Sequence, residues 1–171
     1  TLVATHTVET TRLDDVAGLE DADFLKLDVQ GAELTILENA PRLLAQCTIV
    51  QAEVCFLPLY ENQPLFADVD AFLRAAGFQF HFFRTMGKRC YRPLVLGGNP
   101  NAGLRQMLWS DAVYIRDPLT LSALSVEKLL KMAVLLHDVF KSFDLCLLVL
   151  GEADKLTGST LAPAYWRQLS G

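Results

Sequence analysis

Three carboxylates and one run of cations stand where side chains could do chemistry. Asp28 lies at the end of the run Phe24 to Val29, just ahead of Gly31, and Glu53 interrupts the otherwise apolar stretch Thr48 to Phe56. A carboxylate inside an apolar strand needs a partner or an opening to water. At the ends of neighbouring strands, Asp28 and Glu53 would converge in one crevice. Glu33 follows Gly31 in the first turn of a helical segment, where the dipole favours a negative charge by about 0.3–1 kcal/mol, an ordinary reason for its presence. Between residues 84 and 110 stand Arg84, Lys88, Arg89, Arg92 and Arg105 with no acidic residue among them. Such a loop is either a solvated basic surface or a lid in which Arg89 and Arg92 contact an anionic or hydroxylated substrate.

The elements that must position these groups are legible in outline. Phe24 to Val29, the turn at Gly31 and the start at Ala32-Glu33-Leu34 read as strand, turn, helix, and in open α/β sheets ligands bind beyond the carboxyl ends of the strands. Leu34, Ile36, Leu37 and Ala40 form a buried helix face that Pro41 ends or bends into residues 42–46. Residues 48–56 read as a central strand. Pro64 at a helix start, apolar residues at 66, 69, 73 and 76, and Gly77 as the stop predict the next helix. Residues 78–83 alternate as a third strand, and His81 within them reads as a packed or surface histidine. Upstream, residues 7–13 read as an edge strand or extended arm, and Asp14-Asp15 as the cap of a short turn through Leu19. The pattern lapses from Arg84 to Ser110 and returns as a short strand, residues 111–116. Leu94 to Gly98 resembles a strand entering a glycine turn but has neither a dinucleotide nor a phosphate-loop pattern. Helical spacing predicts a helix from Val126 to Phe143 with Ser125 as its cap, a second over 145–156 stopped by Gly158, and a third from Pro163 over 164–169.

Composition narrows the function classes. The 171 residues are 51% hydrophobic, enough for one well-buried core, and the net charge of −5 argues against a nucleic-acid or anionic-membrane binder. Four dispersed cysteines, Cys47, Cys55, Cys90 and Cys146, with three histidines apart from them, indicate neither a metal cluster nor a disulfide framework. They fit reduced thiols. Thr1 to His6 lacks a basic stretch followed by an apolar one, which predicts no signal peptide and a cytoplasmic setting. Leu129 to Leu150 has about the length of a membrane span, but Lys131, His137, Asp138, Lys141 and Asp144 interrupt it.

The segment Asp23-Phe24-Leu25-Lys26-Leu27-Asp28-Val29-Gln30-Gly31-Ala32-Glu33 resembles the signature "DFLKIDVEGAE" of the FkbM family of S-adenosylmethionine-dependent methyltransferases. Thr11 to Asp15 resembles the "TLDD" ahead of it, Ile49 to Val54 the strand after it, and Gln106 to Tyr114 the family's closing strand, so the likeness runs over about residues 10–117. It implies a partial doubly wound, Rossmann-like α/β sheet, mostly parallel with an antiparallel last strand, over 1–118, followed by a helical extension over 119–171. It implies S-adenosylmethionine as cofactor and a hydroxyl of a sugar or other small metabolite as substrate. Asp28 and Glu53 would be catalytic, Asp28, Gln30 and Gly31 would touch the cofactor, and Glu33, Arg89 and Arg92 would bind substrate, with no metal. Gln30 stands where the family usually has Glu, which removes a carboxylate. The glycine turn of the first strand and the acidic residue after the second are not found ahead of Asp23. The resemblance therefore implies the latter half of the sheet, little cofactor affinity for the 171 residues alone, and an open edge at residues 24–29 that an upstream domain or a second copy would cover. The alternative is a non-catalytic interaction or dimerisation module. A receiver-like fold with Asp28 as phosphoacceptor lacks a paired acidic cluster beyond Asp14-Asp15.

Overall fold

The computed structural model describes residues 4–170. Thr1 to Val3, on which part of the signal-peptide expectation rests, lie outside the described residues. The sheet joins β1 (Phe24–Leu27), β2 (Ile49–Cys55), β5 (Gln106–Arg116) and β3 (Phe78–Phe83) in that spatial order, with β4 (Gly87–Arg89) also on β5. β1 and β2 run parallel, while β5 is antiparallel to β2, β3 and β4. A mixed α/β fold with an antiparallel closing strand and C-terminal helices is what the sequence predicts.

Pleating sends alternate residues to opposite faces. Val50, Ala52 and Val54 of β2 meet Leu37 of α1 (Glu33–Glu38), Leu43 and Leu44 of α2 (Pro41–Gln46) and Leu73 of α3 (Phe66–Ala75). On the other face, Ile49 of β2 and Val113 and Ile115 of β5 pack with Leu129 and Met132 of α4 (Val126–Leu135) and Val149 of α5 (Phe143–Thr157). The helices thus cover the lower part of this second face. By the same alternation Lys26, Gln51, Glu53 and Asp111 continue it toward the carboxyl ends of β1 and β2, where its character turns polar.

Two ionic devices join distant segments. Lys128 on α4 pairs with Asp21 at 2.6 Å and Asp23 at 2.8 Å, which fastens the helix to the start of β1. Arg116, at the end of β5, donates to the carbonyl of Cys47 at 2.8 Å, to that of Ala76 at 3.1 Å and to that of Leu44, with Phe78 4.2 Å below its plane. These carbonyls end α2 and α3, so one cation ties together the C-terminal ends of two helices, where a positive charge is favoured.

Several elements differ from their sequence readings. Residues 4–12 have no regular backbone and are exposed, the arm rather than the strand. Asp14 does not cap its own 3-10 turn, Leu13–Asp15; its carboxylate accepts from the amides of Arg42 and Leu43, each at 2.9 Å, and so caps α2. α2 opens with Pro41 after Ala40, a residue with no capping side chain, and Asp14 supplies the missing acceptor from 28 residues away. The stretch 84–110 is not patternless: β5 begins at Gln106, and Gly87, Lys88 and Arg89 pair with Trp109, Met107 and Gln106. Pairing across the loop, with no apolar alternation of its own, makes this ladder. Gly87 is buried, and a Cβ there would collide with the Trp109 indole. Finally, the run Val126 to Phe143 breaks at a wide turn, Leu136–Phe140, and at Lys141 with φ 55°, before α5 starts. α6 (Leu161–Ser170) starts two residues ahead of Pro163 because Asp154 accepts from the amides of Leu161 and Ala162 at 2.8 and 2.9 Å.

Candidate functional site

The turn after β1 is built around Glu33. Its side chain is 4% exposed, and its two oxygens accept from the amides of Val29 at 2.8 Å and Gly31 at 2.9 Å. These amides bracket Gln30, which is held at φ 58°, a left-handed conformation uncommon outside Gly and Asn; Gly31 follows at φ 109°, open to glycine alone at little cost. Bonding at both flanks over-determines the conformation and aims the Gln30 side chain over the sheet. Its Nε2 lies 3.3 Å from Asp28 Oδ1 and 3.4 Å from Glu53 Oε1. The two carboxylates picked out from the sequence therefore do meet, joined by an amide.

Charge in this crevice is lopsided. Lys26 pairs with Asp28 at 3.1 Å and is the one cation that reaches the carboxylates among the described residues. Asp111 stands opposite Glu53 in the antiparallel register. Burial, followed by the negative charges of Asp28, Glu33 and Asp111, raises Glu53 above the usual carboxylate range, against the opposing pull of Lys26. A partly buried carboxyl with a raised proton affinity at the end of a central strand suits a general base or acid.

Not every expected residue joins. Arg89 donates to the carbonyls of Lys88 at 2.9 Å and Asn101 at 3.0 Å, which ties together the hairpin arm of β4. It lines a cavity of about 400 Å³ with Tyr91, Leu94, Leu104, Arg105 and Gln106. Arg92 is exposed on that arm. Among the described residues, no hydrogen bond or ion pair links Arg89 or Arg92 to Asp28 or Glu53. Glu33 acts on the turn backbone, its oxygens already engaged. Gly31 has its amide taken by Glu33 and its Cα against Gln63. Three residues escaped the sequence reading: Gln51, Thr85 and Asp111. Asp111 carries the same signal that marked Glu53, an acid in an apolar strand, but as the first residue of the short strand read there it passed for a strand end.

Residues 2–80 match the family model described as the methyltransferase FkbM domain. The matched stretch contains β1, the Gln30 turn, Glu53 and α3, and ends within β3, so β5 with Asp111 and the C-terminal helices lie beyond the match. A curated protein named 2-O-methyltransferase NoeI, from Sinorhizobium fredii (strain NBRC 101917 / NGR234), is 42% identical over 67 residues, 37% of this chain and 28% of that relative. The chain thus spans about 28% of the length of the relative it matches. No solved structure matches it.

S-adenosylmethionine, the cofactor that the resemblance to the FkbM family implies, presents a carboxylate, an ammonium, a sulfonium and a ribose diol. Asp28 and Glu53 could meet its cationic or hydroxyl groups, yet the turn amides that could receive its carboxylate are occupied by Glu33. The amides of Val29 and Gly31 are therefore not free to receive that carboxylate while Glu33 holds them. Among the described residues, no helix is long and apolar enough to cross a membrane. All four cysteines are free, and burial pushes the Cys47 thiol up to about 11.

Proposed function

We propose that this chain carries the acceptor side of an S-adenosylmethionine-dependent O-methyltransferase acting on a hydroxyl of a sugar or other small metabolite. The observation that carries the reading is the convergence of Asp28 and Glu53 on the Gln30 amide at the carboxyl ends of β1 and β2, inside the stretch that matches the FkbM domain. The name of the similar NoeI protein, a 2-O-methyltransferase, supports oxygen as the atom methylated. In this reading Asp28 and the Gln30 amide orient the acceptor hydroxyl, and Glu53 receives its proton. Methyl transfer demands alignment more than covalent help, so holding the hydroxyl in line is the larger contribution. The cofactor when bound supplies an electrophilic methyl group, and polypeptide outside these 171 residues supplies its remaining contacts. Residues 1–118 carry the site, 119–171 form the helical extension, and Arg89 and Arg92 on the hairpin arm meet the outer part of the substrate. Four free cysteines support a reducing, cytoplasmic setting.

The test is methyl transfer from isotopically labelled S-adenosylmethionine to monosaccharide acceptors by the longest gene product containing these residues. Glu53→Gln should lower turnover by roughly 10²–10⁴-fold, the usual worth of a general base. Turnover equal to wild type would remove Glu53 from the role.

One observation favours a second reading, a module that pairs with another chain. β1 lies at the edge of the sheet with one strand neighbour among the described residues. A mostly apolar groove of about 590 Å³, lined by Phe24, Leu130, Val134 and Leu135 with Asp23 and Lys131 among them, flanks it. An apolar edge of this kind invites an added strand, from a second copy or from an upstream domain. Light scattering on the chain distinguishes them: a dimer at micromolar concentration favours self-pairing, and a clean monomer counts against it.

A further inference from the structure

The crevice contains a carboxylate that lies beyond the FkbM match. Asp111 on β5 is the direct cross-strand partner of Glu53 on β2, and side chains at such positions have Cβ atoms about 4.5–5.5 Å apart on the same face. The two acids are anchored differently. Asp111 Oδ1 accepts from Gln51 Nε2 at 3.2 Å, and its Oδ2 accepts from the Thr85 hydroxyl at 2.5 Å. Thr85 Oγ1 in turn accepts from the Asp111 amide at 3.3 Å, which ties the residue to the connection after β3. Among the described residues Glu53 has a single donor, the distant Gln30 amide that it shares with Asp28. One acid is held fast on both oxygens; its neighbour has one oxygen unengaged.

The anchor of Asp111 is itself buried. Gln51 is 3% exposed, its amide is turned toward Asp111, and its Oε1 has no hydrogen-bond donor. Buried acceptors are normally satisfied.

We propose that Asp111 is a positioning residue that makes Glu53 the proton acceptor of this site, with Gln51 and Thr85 as the anchors that hold Asp111 against it. The proposal rests on the acceptor-side reading above and deepens it. The negative charge of Asp111 disfavours a second negative charge across the strand, and the groups that face Glu53 from the elements around it are Lys26 of β1, Asp28 just after β1, Glu33 of α1, Cys55 of β2 and Asp111 of β5. Against three acids stands one lysine, already paired with Asp28. The two carboxyl groups are held differently, and the one with an oxygen outside the hydrogen bonds is the one placed to take a proton. The step assigned to Glu53 is proton transfer alone. The acceptor O–H bond breaks, the proton passes to the Glu53 carboxylate to give a neutral carboxyl, and the electron pair stays on the oxygen to be methylated.

The test needs neither cofactor nor acceptor. Carbon-detected NMR of the side-chain carboxyl of Glu53 gives its titration midpoint in the wild-type chain and in Asp111→Asn, which keeps an acceptor for Gln51 and loses the charge. The midpoint should move to lower pH in the variant. Asp111→Ser, smaller and also uncharged, should move it the same way and serves if the first variant fails to fold. A midpoint that stays in place in a folded variant overturns the proposal. If the midpoint moves but the full-length protein transfers no methyl group to any hydroxyl, the pairing stands and the methyltransferase reading falls. In an active full-length enzyme, Asp111→Asn should shift the acid limb of the kcat profile to lower pH with little change in acceptor KM; a change in KM alone would make Asp111 a substrate contact and not a positioning residue.

Discussion

Replacing Glu33 separates two accounts of the turn that presents Gln30. If the carboxylate is only a favourable charge at a helix start, its removal costs about 0.3–1 kcal/mol. The structure asks for more. The side chain is 4% exposed and makes two short bonds, to the amides of Val29 and Gly31. Hydrogen bonds to charged groups contribute about 1.5–3 kcal/mol each, and amides left unpaired in the interior add to the loss. Glu33→Ala should therefore cost about 3–5 kcal/mol. Glu33→Gln keeps one acceptor and turns an amide N–H toward a backbone N–H, so about 2 kcal/mol is expected. For a chain of this size 1 kcal/mol moves Tm by about 2–4 °C, so the alanine variant should melt roughly 10 °C lower. Urea unfolding with an unchanged slope, together with hydrogen exchange at Val29 and Gly31, measures both the cost and its location. A loss below about 1 kcal/mol in both variants, or equal losses in the two, would refute the bracketing of Gln30 by Glu33.

Glu53→Gln should stabilise the chain at pH 7, because the folded state raises the proton affinity of Glu53 and so disfavours its ionised form. That penalty is fully present above the raised value and vanishes as the pH falls below the ordinary Glu value of about 4.3, so the advantage of the variant should close through that window; a variant less stable than wild type at pH 7 contradicts it. Arg116→Ala should cost about 3–5 kcal/mol and Arg116→Lys about 2 kcal/mol in the same urea assay, since Lys cannot span the carbonyls of Leu44, Cys47 and Ala76; a lysine variant as stable as wild type would argue against the clamp. Isothermal calorimetry of the 171-residue chain should detect no S-adenosylmethionine binding near physiological concentration, and a low-micromolar Kd would overturn this.

What the sequence reveals divides by range. The strand at Phe24, the bends at Gly31 and Pro41, and the helix between Pro64 and Gly77 follow from local pattern and chain punctuation, and they stand within a residue or two of their expected places. Asp28 and Glu53 come together as strand ends should. Elements fixed by partners far along the chain escape local reading. β4 has no apolar alternation and exists through its ladder with β5; Asp14 looks like a local cap and serves a helix 28 residues away. Arg89 and Arg92 stand out by charge alone, and charge does not say which face a hairpin arm presents. Asp111 is recognisable only once β2 and β5 are in register, because its meaning lies in what stands across from it.

The close seating of Trp109 on Gly87 gives the molecule an optical reporter. The chain has two tryptophans, and Trp166 is 56% exposed on α6. Trp109 stands two residues from Asp111, opposite Cys55, with its indole against the backbone of the hairpin arm. With Trp166→Phe, emission comes from Trp109 alone, and its wavelength and quenching follow the hairpin arm and the upper rim of the crevice together. A ligand that enters beside Glu53 then announces itself in fluorescence before any product has formed.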